Sequence, residues 1–169
     1  TAGSPFRADA TEHRLILVDA RTGDVLEALS RQAAGLERRI CDFRNKRTKD
    51  FRCLPGRVTR KEGDGPTGRQ QVDALYRLLD QLHDYWDGRF GRDGIDGKGS
   101  AFVATVRYCE PFWCPFQNAF WEWGPQQATF GNGWADDDDL VGHEFTHGVL
   151  DHEARLFYDH QSGSINESF

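Results

Sequence analysis

Residues 141–149 read Val-Gly-His-Glu-Phe-Thr-His-Gly-Val, and this is where the chain could do chemistry. On an α-helix, positions four apart stack on one face. His143 and His147 can therefore present imidazole nitrogens to a single ion, roughly 2.0–2.1 Å away if that ion is zinc. Glu144 falls at the rim of the same face, where a carboxylate can take a proton from a zinc-activated water. Phe145 and Val149 fall on the far side, where a helix needs core contacts. A plainer reading of the same residues is an exposed helix with two unconnected histidines, and the five-residue pattern by itself leaves it open.

Two imidazoles leave zinc short of the third protein ligand of an open catalytic site. Glu167 follows His147 by twenty residues, within Gln161-Ser162-Gly163-Ser164-Ile165-Asn166-Glu167. Ser164 and Glu167 also have the spacing of a capping box at a helix start, with no metal role. One carboxylate cannot easily serve both.

A helix with this burden needs neighbours. The acidic run at 136–139 is expected to open it, because negative charge favours a helix N-terminus. A second helix is predicted from Gln70 onward, with Thr67-Gly68-Arg69-Gln70 at capping-box spacing and Val72, Leu75, Tyr76, Leu79, Leu82 and Trp86 on one face. Residues 88–99 are rich in Gly and Asp and are expected to be turns; they do not fit an EF-hand loop. Residues 101–108 and 118–123 read as strands. Gly and Pro interrupt the chain again between Trp123 and Trp134. Residues 41–66 read as a basic loop region, and the stretch 38–60 as a solvated surface. Near the N-terminus, two apolar runs at 14–19 and 24–29 joined by Arg21-Thr22-Gly23 predict a hairpin.

The composition sets limits. With 169 residues, 38% hydrophobic and 12% aromatic, the chain can bury a core and reads as one soluble globular domain. A net charge of −6 with no sustained Lys/Arg stripe gives no case for nucleic acid or an anionic membrane. No apolar run approaches the roughly 18 residues of a membrane helix. The chain contains no Met, so a processed form or a fragment is expected. Four cysteines fall as local pairs, Cys41/Cys53 and Cys109/Cys114. That suits two disulfides and a secreted, oxidising setting, although three connectivities are open and a four-cysteine zinc site is the rival.

Taken together, these stretches resemble the thermolysin family of secreted neutral zinc metalloproteases. Residues 141–149 match the family's zinc helix, and residues 161–169 are similar to its Q-x-S-G-x-x-N-E segment, here spaced Q-S-G-S-I-N-E. Asn118-Ala119-Phe120-Trp121 looks like the family's N-A-x-W edge strand. The resemblance implies Glu167 as the third zinc ligand and Asn166 as the group that orients His147. It implies Glu144 as general base, Tyr158 as oxyanion donor, Asn118 and Ala119 as contacts to the substrate backbone, and Asp139 as a calcium ligand, for which a plain helix N-cap region is the alternative. His13, His83, His152 and His160 have no such counterpart and read as surface or packing residues.

The implied fold is α+β: the strand-rich N-terminal lobe of a thermolysin-like enzyme, with the cleft between the 118–121 strand and the zinc helix. The implied activity is zinc-dependent hydrolysis of peptide bonds in peptides or proteins, with bulky apolar residues preferred after the scissile bond. Residues 17–26 are similar to the last hairpin of the family's propeptides, which would make residues 1–36 a propeptide remnant and 37–169 the N-terminal lobe. A mostly helical C-terminal lobe would then belong to the same precursor or to a separate chain. The alternative from another class is a non-catalytic zinc-binding half-domain.

Overall fold

The computed structural model describes residues 13–18, 21–23, 25–31, 35–156 and 159–168. They fall into two compact units, residues 1–34 and 35–169. In the first, β1 (His13–Val18) pairs antiparallel with β2 (Val25–Arg31), with an irregularity between Leu17 and Val18. This is the hairpin expected there.

The second unit is a mixed five-stranded sheet with helices on it. Its strands are β3 (Arg38–Asp42), β4 (Val58–Lys61), β5 (Phe102–Val106), β6 (Ala119–Glu122) and β7 (Gln127–Phe130), in the order β4-β3-β5-β7-β6. The three inner strands run parallel, and β4 and β6 are antiparallel to their neighbours. Helix α1 (Gln70–Phe90) contacts β3 and β5, while α2 (Asp138–Glu153) contacts β6 and β7. A short α3 (His160–Asn166) follows.

The core lies between the sheet and the two long helices. Phe102, Phe130 and Phe145 are fully buried, and Phe145 packs against both Phe102 and Trp121 at 5.5 and 5.7 Å between ring centres. Val72, Leu75, Tyr76 and Leu79 bury the face of α1 that its periodicity predicts, while Trp86 is only half-buried.

Several local expectations are corrected. The loop-like stretch 41–66 contains the end of β3 and all of β4. Two arginines of the basic stretch 38–60, Arg38 and Arg60, are buried because they are paired. Arg38 is buried against the Glu62 carboxylate, at 2.6 and 2.8 Å, and both Arg38 and Arg60 stack on the Tyr76 ring at 3.6 Å. The interruption before Trp134 conceals β7, all of whose residues are buried. Its Gln127 is satisfied internally, donating to the Phe51 carbonyl at 3.0 Å and accepting from the Cys53 N–H at 2.8 Å.

Helix α1 starts without the expected capping box. Asp73 takes the Thr67 N–H, the Thr67 hydroxyl and the Gly68 N–H instead, leaving Arg69 as an N-cap with no side-chain capping bond. The same helix runs through Gly88 and stops at Gly91, whose left-handed φ of 60° suits a residue without a Cβ. Disulfides join Cys41 to Cys53 and Cys109 to Cys114, so the two local pairs form and the four-cysteine metal site does not.

Asp42 ties the end of β3 to its surroundings. Its side chain is fully buried and accepts bonds from Arg107 Nε at 2.8 Å, from Arg107 Nη2, from Arg69 Nη1 at 3.2 Å and from the Arg44 N–H at 2.9 Å. Burial pushes this carboxyl up, but the hydrogen bonds and the charges of Arg107 and Arg69 outweigh it and hold its pKa below the ordinary value. A lowered folded-state pKa means the stabilisation is complete above the unfolded value, near pH 4, and fades as pH falls through the folded value. Asp42→Asn should therefore lower urea stability by roughly 1–3 kcal/mol at pH 7. The gap from the parent should shrink below about pH 4; an undiminished gap at pH 3 would contradict this account.

Candidate metal and peptide-binding site

Helix α2 begins where its charge pattern places it. Asp137 is the N-cap, its carboxylate accepting the Leu140 N–H at 3.1 Å, and Asp138 and Asp139 occupy the first turn. From there the helix divides by face. Val141, Phe145 and Val149 enter the core, and His143, Glu144 and His147 line a cleft of about 490 Å³. Gly148 explains how close the helix lies to the sheet. A Cβ there would sit 2.5 Å from the Trp121 ring and 2.9 Å from Ile95, so only glycine admits this approach.

The two imidazoles converge as the four-residue spacing requires, with Nε2 atoms 3.1 Å apart. Glu167 closes the group, its carboxylate oxygens 3.3 Å from His143 Nε2 and 3.7 Å from His147 Nε2. Tetrahedral zinc with bonds of about 2.0–2.1 Å separates its ligand atoms by roughly 3.3 Å. The three observed separations bracket that value. Among the described residues this is the one group of three or more His, Cys, Asp or Glu side chains with metal-donor spacing.

The remaining nitrogen of His147 tests the fit. Nδ1 lies 2.7 Å from Asn166 Oδ1, and both residues are buried. An amide oxygen accepts, so Nδ1 carries the proton and Nε2 keeps its lone pair, aimed at the shared point. Helix α3 overturns the capping-box reading of Ser164 and Glu167. Residues 160–166 are already helical, and Glu167 is the C-cap of α3 rather than part of a helix start.

Glu144 is more enclosed than its place at the rim of the helix face suggests. It is 5% exposed. Burial pushes its pKa up to about 7; the His143 charge lowers it, Glu167 raises it, and a hydrogen bond from the Trp121 backbone lowers it. A divalent cation on the neighbouring trio would pull it down again.

The opposite wall of the cleft is β6. It is the sheet's last strand, so among the described residues one side of its backbone has no strand partner. Asn118 and Ala119 line the cleft with Phe120, Trp121, Trp123 and Leu140. Asn118 is exposed, and its carbonyl accepts the Gly131 N–H at 2.9 Å. Tyr158 lies outside the described residues. Asp139 is exposed and belongs to no ligand cluster of three or more among the described residues.

One feature of the site has no signature in the residue spacing. Gln126, in the β6–β7 turn, donates to the Trp123 carbonyl and to Asp151 at 2.7 Å each, and its Oε1 lies 3.0 Å from His152 Nε2. This ties the strand wall to the last turn of α2. Nothing in the spacing of Gln126 and Asp151 announces the contact; the nearest signal is the chemistry of two polar groups flanking the cleft segments.

The model of the thermolysin metallopeptidase catalytic domain matches residues 17–151. This chain belongs to the thermolysin family of metallopeptidases. It is 37% identical over 140 residues to protease PrtS of Photorhabdus sp. (strain Az29), covering 79% of this chain and 35% of that protein. It is 38% identical over 122 residues to an extracellular metalloprotease of Pectobacterium carotovorum subsp. carotovorum, covering 68% of this chain and 33% of the relative. The precursor of protealysin, a metalloproteinase from Serratia proteamaculans, superimposes with a TM-score of 0.67 at 32% identity, over 82% of this chain and 42% of that one. The chain thus spans about a third of the length of these two curated relatives. Its sheet and helices form the α+β architecture of a thermolysin-like N-terminal lobe.

Zinc should bind the trio, and Asn166→Ala should weaken it about 10–100-fold by freeing the His147 ring. Competition with a chromogenic zinc chelator measures this. Unchanged affinity would remove Asn166 from the site.

Proposed function

We propose that this chain is the N-terminal lobe of the catalytic domain of a secreted zinc metalloendopeptidase. His143, His147 and Glu167 hold the zinc, and Glu144 is the general base. One observation carries the reading: three metal donors within 4.8 Å of one another stand beside a buried carboxylate, in a cleft whose other wall is the last strand of the sheet.

Zinc bound there supplies Lewis-acid polarisation of water and of a peptide carbonyl. The remaining work falls to the chain itself. Strand β6, with Asn118 and Ala119, receives the substrate backbone as an added strand. Glu144 takes a proton from water in the cleft and returns it to the leaving amine. Its burial beside the three metal donors places this carboxylate within reach of both transfers. Tyr158 donates to the oxyanion. Trp123 and Leu140 in the lining support a preference for bulky apolar side chains after the scissile bond.

Residues 1–36 are the end of a propeptide and 37–169 the lobe itself, a division supported by the separate compactness of residues 1–34. Secretion is supported by two disulfides and by a relative named as extracellular. Calcium at Asp139 belongs to the same reading, with the acidic run 136–139 as its charge. The substrate is a peptide or protein, and a C-terminal lobe, on the same precursor or a separate chain, completes the cleft.

A second reading is a zinc-binding domain without turnover of its own. Zinc content and casein hydrolysis, measured on the full-length protein, separate the two. Glu144→Gln should retain stoichiometric zinc and lose hydrolysis by roughly 10²–10⁴-fold. Hydrolysis that survives in this variant would remove the base. Stoichiometric zinc with no Glu144-dependent turnover in the parent would favour the second reading.

A further inference from the structure

A second concavity of this lobe lies apart from the zinc cleft. A pocket of about 630 Å³ opens at the other side of the sheet, between the loop that follows β3, the start of β4 and the N-terminal end of α1. Its lining includes five cations, Arg44, Lys46, Arg47, Arg57 and Arg69, and one carboxylate, Asp42. In a chain of net charge −6 this is a local reversal of sign.

The single carboxylate does not neutralise the group. Asp42 is already shared between Arg107 and Arg69. Arg57 pairs with Asp50 at 3.0 Å, and Arg47 donates to the neutral Pro111 carbonyl at 2.7 Å. Among the described residues, the Arg44 and Lys46 side chains have no hydrogen-bond or ion-pair partner.

The loop carrying these cations is held in shape before any ligand arrives. Arg44 and Asn45 sit at positive φ, 53° and 57°. The Phe43, Asn45 and Thr48 N–H groups donate to the carbonyls of Val106, Arg107 and Cys109 at 3.0, 2.9 and 3.0 Å. Disulfides anchor both flanks, Cys41–Cys53 on one side and Cys109–Cys114 on the other. A fixed set of like charges costs self-repulsion that an anion would relieve, and pre-organisation lowers the entropy lost on binding.

The geometry points to this pocket as a binding site for a polyanion carrying two or more clustered sulfate or phosphate groups. Guanidinium groups match such oxyanions in two-pronged fashion. The volume exceeds what one sulfate fills, and five cations exceed what one sulfate needs. A nucleic-acid strand fits less well. Phe43 is the one aromatic ring in the lining, and the Arg57 guanidinium stands over it at 5.6 Å, so no open ring is offered for base stacking. The site is also separate from the zinc cleft. The two linings share no residue, and β5 and β7 lie between β3 and β6.

The test is calorimetry on the intact chain with inositol hexasulfate as the compact polyanion, inorganic sulfate as the single anion and oligodeoxythymidylate as the nucleic acid, at fixed ionic strength. One hexasulfate should bind per chain, at least about tenfold more tightly than sulfate or the oligonucleotide. Arg44→Asn with Lys46→Gln should weaken hexasulfate about tenfold or more, whereas Arg77→Gln with Lys98→Gln, an equal loss of exposed charge elsewhere, should not. Circular dichroism melting confirms that both double variants are folded. The proposal is overturned by no saturable hexasulfate binding, by equal losses in the two double variants, or by an oligonucleotide that binds as tightly.

Discussion

The bond between His147 Nδ1 and Asn166 Oδ1, 2.7 Å long and buried, is the constraint on which the zinc-like trio depends. Helix α3 has seven residues, too few to be stable alone. Glu167 stands at its exposed end, so its carboxylate reaches the two imidazoles only if α3 is held against α2. Asn166, one residue earlier, does that holding and fixes the His147 tautomer in the same contact. The geometry of the trio, ring orientation and the docking of a short helix are thus set by one buried amide.

The second constraint is the approach of α2 to β6. Because Gly148 has no side chain, the helix lies directly on the Trp121 ring, and the Trp121 backbone donates a hydrogen bond to Glu144. The same closeness that makes the cleft narrow desolvates the carboxylate and raises its proton affinity. Packing and acid–base chemistry here have one cause. The Gln126 contacts to Trp123, Asp151 and His152 brace the strand wall from its turn, so the cleft is held at both of its walls.

Charge is divided across the lobe in a way the total conceals. The N-terminal turn of α2 gathers Asp137, Asp138 and Asp139, while cations collect at the far side of the sheet around Asp42. Asp42 is the balancing group there. Removing its charge would leave Arg107 and Arg69 facing each other across the end of β3.

What the sequence determined by itself was whatever depends on regular spacing. The four-residue separation of His143 and His147, the apolar stripe of α1, the hairpin of β1 and β2, and the strands around Phe102 and Trp121 all follow from the periods of helix and strand. Each appears within a few residues of its expected place. Local pairing of the cysteines was legible for a similar reason, since short separations bring the thiols together. Contacts between distant segments were not legible. β3 and β4 read as a basic loop because Arg38 and Arg60 are polar in sequence; they enter the core region only by pairing with Glu62 and Asp73 and stacking on Tyr76. β7 was hidden by Gln127, whose amide is satisfied by partners 22 and 76 residues away. The capping box expected at Thr67 lost its donors to Asp73, and the one expected at Ser164 gave way to a helix already formed. Periodicity is a property of the chain, but the neighbours that make a buried charge or amide affordable are decided only when the chain has folded.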